Sequence, residues 1–212
     1  MSTPVRFYRG TVLGTGRLGI FPGAFNPVTR AHLAVAQAAR GQHGLQQVVF
    51  LLPAAFPHKA YVGASFDERV ALLEVAVAGD PALAIATTDG GLFIEIARAF
   101  RAACGGEIQL YLLCGRDAAE RIAGWDYGGG PPFPQQLAEF QMLVASREGE
   151  YAVPSEYAGR IHSIRMPPAY SEQSSSAVRA AIEAGQAWEH LVPKSVARFI
   201  RENRLYGMKP AR

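Results

Sequence analysis

The most constraining feature of the sequence is an alternation between short runs that are apolar throughout and longer segments with apolar residues on one helical face. The runs are Leu18 to Phe21, Val48 to Leu52, Leu83 to Ala86, Ile108 to Leu113, Met142 to Ala145 and Ile161 to Ile164. A strand with one face in water alternates apolar and polar side chains, whereas one buried on both faces does not. The runs therefore predict a central parallel sheet with helices on both faces. Between them, Ala31 to Arg40 is Ala-rich, Phe66, Val70, Leu73 and Val77 recur at helical spacing, and Leu92, Ile96 and Ala99 mark a third helix. Ser65 followed by Glu68 is a capping-box signature for the second. Two helices close the chain. One has Val178, Ala181 and Ile182 inward and Gly185 as its stop, and the other opens at Pro193 with Val196, Phe199 and Ile200 inward. The expected class is α/β. Ligands bind such sheets at the carboxyl ends of the strands, where strand order reverses, so chemistry is expected just after Phe21, Leu52 and Leu113.

Composition narrows the class. Hydrophobic residues at 49% and charged residues at 18% are those of a globular chain and exclude a disordered one. No apolar run reaches the roughly 20 residues of a membrane span, and the first residues lack a signal-peptide core, so a cytoplasmic location without membrane attachment is expected. The net charge of +3 comes without a dense Lys/Arg run, so nucleic acid is not an expected partner; nucleotides are, and a homo-oligomer is left open. Of the two cysteines, Cys104 and Cys114, the second ends an apolar run and reads as a plain buried thiol. No metal ligands are assigned. Residues 18–212 read as one domain after an N-terminal extension at residues 1–17. Gly128 to Pro134 reads as a surface loop.

Several segments can carry chemistry. Gly14-Thr15-Gly16-Arg17-Leu18-Gly19 fits G-x-G-x-x-G but precedes the first strand, whereas a dinucleotide fingerprint lies between strand and helix; it is set aside. Pro22 to Leu33 follows the first strand, and the helix start there offers free amides and a positive dipole end to a phosphate. Thr29 and His32, three apart, can look at the same site, or be a helix cap and a surface histidine. Ser174-Ser175-Ser176 with Arg179 one turn on forms a second such helix start, able to seat a triphosphate or merely to cap the helix. Gly115 allows a ligand near the backbone, and Asp117 can accept from ribose hydroxyls or cap the next helix. Pro57-His58-Lys59 can bring positive charge to phosphates. Trp125 can stack on a planar base or simply pack.

In order and spacing these segments resemble the nucleotidyltransferase superfamily, in particular bacterial nicotinate-nucleotide adenylyltransferases. Pro22 to Leu33 is similar, without a gap, to the family's G-G-T-F-D-P-x-H-x-G-H-L. Pro53 to Lys59 resembles P-x-x-x-P-H-K/R, and Arg69 to Ala76 resembles R-x-x-M-L-x-L-A. Gly115 to Tyr127 resembles a G-x-D followed by W-Y. Gln173 to Arg179 resembles I-S-S-T-x-I-R, and Leu191 to Tyr206 the closing L-V-P-x-x-V-x-x-Y-I-x-x-x-x-L-Y.

The resemblance implies a Rossmann-like nucleotidyltransferase fold and adenylyl transfer from ATP, with Mg²⁺, to nicotinate mononucleotide in NAD biosynthesis. The acceptor phosphate attacks the α-phosphate and pyrophosphate leaves. It implies that His32 and Thr29, with Lys59 and Arg179, serve the transferred phosphate. It further implies that Phe21, Gly23, Ala24, Phe25, Gly115, Asp117, Ser174, Ser175 and Ser176 hold the nucleotide. Asn26, Asp89 and Trp125 fall at acceptor positions. The chain departs from the pattern where Thr29 replaces the first histidine, Ala31 the glycine and Asn26 the aspartate. It departs again where Asp89 to Ile94 does not reproduce the S-Y-T that recognises nicotinate. Another phosphate-bearing acceptor, such as phosphopantetheine or a sugar phosphate, and a catalytically weak nucleotide-binding sensor stay open as alternatives.

Overall fold

All six apolar runs form strands. The computed structural model describes residues 4–12, 14–54, 63–105, 107–146, 151–170 and 173–208. In chain order the strands are β1 (Arg6–Arg9), β2 (Gly16–Pro22), β3 (Gln47–Pro53), β4 (Leu83–Thr88), β5 (Ile108–Gly115), β6 (Gln141–Ala145) and β7 (Ile161–Ile164). The helices are α1 (Arg30–His43), α2 (Phe66–Val77), α3 (Phe93–Cys104), α4 (Arg116–Ala123), α5 (Phe133–Gln136), α6 (Ser175–Glu183) and α7 (Lys194–Glu202).

The strands make one seven-stranded sheet in the order β1-β4-β3-β2-β5-β6-β7. All pairings are parallel except β1 with β4. Ile20 of β2 lies opposite Val49 of β3 on one side and Leu112 of β5 on the other. The chain thus winds outward from β2 in both directions. Counted without β1, the parallel strands run 3-2-1-4-5-6, the doubly wound arrangement whose reversal point lies between the first and fourth. Here that point is the gap beyond the ends of β2 and β5.

Alternate residues of each strand feed two cores. Phe50, Ile85 and Leu113 face one that includes Leu73 of α2 and Val196 and Ile200 of α7. Ile20, Leu51 and Leu112 face the other, with Ile96 and Phe100 of α3 and Phe133. Full burial on both faces explains why the strands read as unbroken apolar runs. The Ser65–Glu68 capping box forms as expected: Ser65 N–H donates to Glu68 Oε2 at 2.7 Å, and Glu68 N–H donates to Ser65 Oγ at 3.3 Å.

The structure differs from expectation in two places. Arg6–Arg9 adds an antiparallel edge strand, with Arg6 opposite Thr87. Its sequence, RFYR, alternates exposed and half-buried residues and offers no apolar run, and Phe7 meets Phe100 edge-on at 6.1 Å. The expected loop from Gly128 to Pro134 gives way at its end to α5, where Phe133 is 2% exposed and packs on Tyr157 at 5.3 Å. Prolines suit a helix start because the amides they lack have no partner there. The Gly14–Gly19 pattern runs into β2 itself and bridges no strand and helix. Cys114 is a free, buried thiol, which burial pushes up to about 12. Among the described residues no helix is long and apolar enough to cross a membrane.

Candidate active site

The turn from β2 into α1 lies at the reversal point. Gly23 N–H donates to Leu51 O at 3.0 Å and prolongs the β2–β3 ladder. A Cβ on Gly23 would stand 2.7 Å from the Phe25 ring, so the position admits only glycine. Phe25 is 2% exposed with a left-handed backbone, φ 46°. That conformation is costly for a residue with a side chain and persists where packing enforces it. The packing is aromatic: the Phe25 ring meets Phe21 at 5.6 Å, Phe50 at 5.2 Å and His32 edge-on at 5.3 Å.

Thr29 caps α1, and His32 completes a capping box in the place usually held by Glu or Gln. His32 N–H donates to Thr29 Oγ1 at 3.4 Å, and Thr29 N–H donates to His32 Nδ1 at 3.0 Å. A backbone N–H can only donate, so Nδ1 accepts and the ring proton resides on Nε2. Of the two readings of Thr29 and His32, the structure shows the cap, and the cap fixes the tautomer. His32 lines a cleft with Phe21, Gly23, Phe25, Ala31 and Gly115. The first-turn amides of Arg30 and Ala31 have no intrahelical acceptor and add to the positive end of the helix.

The cleft is also lined by residues the sequence did not single out: Val35, Ala145, Met166 and Tyr170. Val35 was within reach as the next residue on the His32 face of α1. Ala145 was within reach as the carboxyl end of β6. Met166 and Tyr170 follow β7 and carry no motif. Gly115 sits at the end of β5, where a Cβ would meet nothing nearer than Ala145 O at 4.0 Å, so its bareness leaves room for a ligand.

Hydrogen bonds direct the second helix start differently from the expectation of a triphosphate seat. Ser174 caps α6 by accepting from Ala177 N–H at 3.0 Å. Ser175 Oγ donates to Pro27 O at 2.8 Å, and Arg179 Nη1 donates to Asn26 O at 2.6 Å. Ser176 accepts from Arg179 Nη2 at 3.3 Å. Asn26 is 5% exposed, and its Oδ1 accepts from Ala64 N–H at 3.2 Å, which ties it to the start of α2. Ala24 contributes its carbonyl to Arg69 Nη1 at 3.1 Å. The carbonyls of Ala24, Asn26 and Pro27 are thus each held by a side chain from another helix. Tyr206 backs the same turn: a Cβ on Gly63 would lie 3.1 Å from its ring and 3.2 Å from the Asn26 amide.

Three expected positions stand apart from the cleft. Asp117 is exposed in the first turn of α4. Trp125 is 38% exposed beyond the end of that helix. Asp89 is exposed and borders a separate groove with Arg6, Tyr8, Phe66 and Thr87 at the outer edge of the sheet. Lys59 lies outside the described residues. Among the described residues no three His, Cys, Asp or Glu side chains converge as a metal cage.

The family model described as cytidylyltransferase-like matches residues 20–181. The probable nicotinate-nucleotide adenylyltransferase of Gloeobacter violaceus is 34% identical over 205 residues, covering 91% of this chain and 97% of the relative. That of Bordetella pertussis is 35% identical over 203 residues, covering 92% of this chain and 100% of the relative. In fold the chain is similar to Plasmodium falciparum nicotinic acid mononucleotide adenylyltransferase complexed with NaAD, with TM-score 0.71 at 14% identity, over 92% of this chain and 98% of that one. Matched along most of its length in both sequence and fold, the chain belongs to the cytidylyltransferase-like family, as a nucleotidyltransferase.

Proposed function

We propose that the protein transfers the adenylyl group of ATP to the phosphate of nicotinate mononucleotide, forming the dinucleotide and pyrophosphate. The observation that carries this reading is the His32 capping box, which leaves the ring proton on Nε2 in a histidine that lines a cleft at the reversal point of the sheet. An oxygen of the acceptor phosphate forms the new bond to the α-phosphorus. The bond from that phosphorus to the β-phosphate's bridging oxygen breaks, and pyrophosphate leaves with the electron pair. No covalent enzyme intermediate is required. The protein contributes alignment of two anions and donors aimed at the charge that builds on the α-phosphate. His32 Nε2–H and the first-turn amides of α1 are those donors. Phe21, Gly23, Phe25 and Gly115 shape the nucleotide end, and the aligned relatives support nicotinate mononucleotide as acceptor.

Mg²⁺ would enter with ATP as part of the substrate, where it would offset charge on the triphosphate. The test is pyrophosphate release from ATP with nicotinate mononucleotide, phosphopantetheine or a sugar phosphate as acceptor. Release that requires nicotinate mononucleotide is the expected result. Release with another acceptor alone reassigns the acceptor, and ATP binding without release from any of them reassigns the protein as a nucleotide sensor.

A further inference from the structure

One strongly buried cation near the cleft has no part in the chemistry above. Arg69, in the first turns of α2, is 4% exposed. Its Nη1 donates to Ala24 O at 3.1 Å and its Nε to Ser65 O at 3.3 Å, while the guanidinium lies over the Phe66 ring at 5.6 Å. Burying a charged side chain is costly unless it is hydrogen-bonded, and here two backbone carbonyls accept from the guanidinium. What the guanidinium adds is a fixed planar fork of donors, one prong on its own helix and one on the β2–α1 turn.

We propose that Arg69 is a positioning residue for nucleotidyl transfer, acting through the carbonyl of Ala24. The proposal rests on the transferase reading of the cleft. A trans peptide is planar, with its C=O and N–H on opposite sides. Arg69 holds the Ala24 oxygen toward α2 and thereby turns the Phe25 N–H away from α2. Phe25 in turn carries the ring that His32 meets edge-on. Arg69 so fixes the left-handed Phe25 backbone, and through that ring the setting of the histidine. Arg179 and Ser175 hold the following carbonyls from the other side, so the turn is gripped between α2 and α6. Without the α2 grip, Phe25 can relax from its left-handed conformation and the ring against His32 shifts with it. Displacement on the order of 1 Å at a reacting centre costs about 10²-fold in rate.

The experiment compares Arg69→Met and Arg69→Lys with the unaltered protein, reading kcat, KM for ATP and for the acceptor, and melting temperature. Arg40→Met serves as a matched loss elsewhere, because Arg40 pairs with Asp80 at 2.9 Å. The expected result is a kcat about 10²-fold lower in Arg69→Met, with both KM values nearly constant and a modest drop in melting temperature, because two carbonyls lose their donor. Arg69→Lys, which keeps one donor, recovers part of the rate, and Arg40→Met lowers the melting temperature with kcat unchanged. Wild-type kcat in either folded Arg69 variant overturns the proposal, as does a loss confined to stability. If Arg69→Met does not fold, Arg69→Lys decides: a lowered kcat at constant KM supports the proposal, and an unchanged one overturns it. An unaltered protein with no transferase activity on any acceptor instead removes the reading beneath it.

Discussion

Two helix starts, α1 and α6, carry hydroxyls and a basic residue on the same side of the sheet, and by composition either suits a phosphate. At α1 the Thr29 hydroxyl and amide set His32, which lines the cleft. At α6 the Ser175 hydroxyl and the Arg179 guanidinium bond to the backbone of the turn that precedes α1. One start lines the cleft, and the other is bonded to the turn that leads into it. Residue type cannot separate the two cases. The acceptor at the far end of each hydrogen bond does.

The largest effect is expected at His32. His32→Ala should lower kcat for pyrophosphate release on the order of 10²- to 10³-fold, as loss of one donor to a developing anion does. A loss that appears only in KM would place the histidine in ground-state binding instead. Arg179→Ala comes next and is the sharpest test of the comparison. A clamp residue should take kcat and melting temperature down together. A fall in ATP affinity alone, with stability kept, would return α6 to the role of a direct phosphate seat. Ser175→Ala leaves Pro27 O without its donor and should lower stability by about 1 kcal/mol, seen as a small drop in melting temperature. Ser176→Ala, at an exposed position, should change nothing measurable. Equal effects of the two serine changes would remove the distinction drawn between them.

The smallest effect lies away from the cleft. Burial, and secondarily the neighbouring His43, hold His162 below the ordinary histidine range. The unfolded chain then binds the proton more readily, so stability is complete above about pH 6.5 and declines as pH falls below it. His162→Gln should flatten that decline between pH 6.5 and 5, and an unchanged slope would assign it to other groups.

Much of this was legible in the sequence, for reasons that also mark where legibility stops. The six parallel strands announced themselves because burial on both faces leaves no polar positions to confuse the pattern. The cap at Ser65 was readable because its partner is three residues away. Phe21, Gly23 and Gly115 meet Phe25 and His32 around one cleft because β2 and β5 are adjacent and the turn into α1 follows β2, and strand ends and helix starts are local signals. The bonds of Arg179 and Ser175 reach across roughly 150 residues of sequence to Asn26 and Pro27, and no local pattern encodes a partner at that distance. Met166 and Tyr170 reach the cleft through the path of the chain after β7, which only the assembled sheet defines. The edge strand at Arg6–Arg9 was hidden because it is short and half-exposed.

The capping box at the start of α1 has one more consequence. Forming a first helical turn is the costly step of helix growth, and helix ends are where local opening begins. Here the bond that nucleates the turn is also the bond that orients His32. Exchange of the Thr29 amide with deuterated solvent therefore clocks how often the histidine is released. As temperature rises, fraying at this one turn should silence the enzyme while the sheet beneath it is still intact.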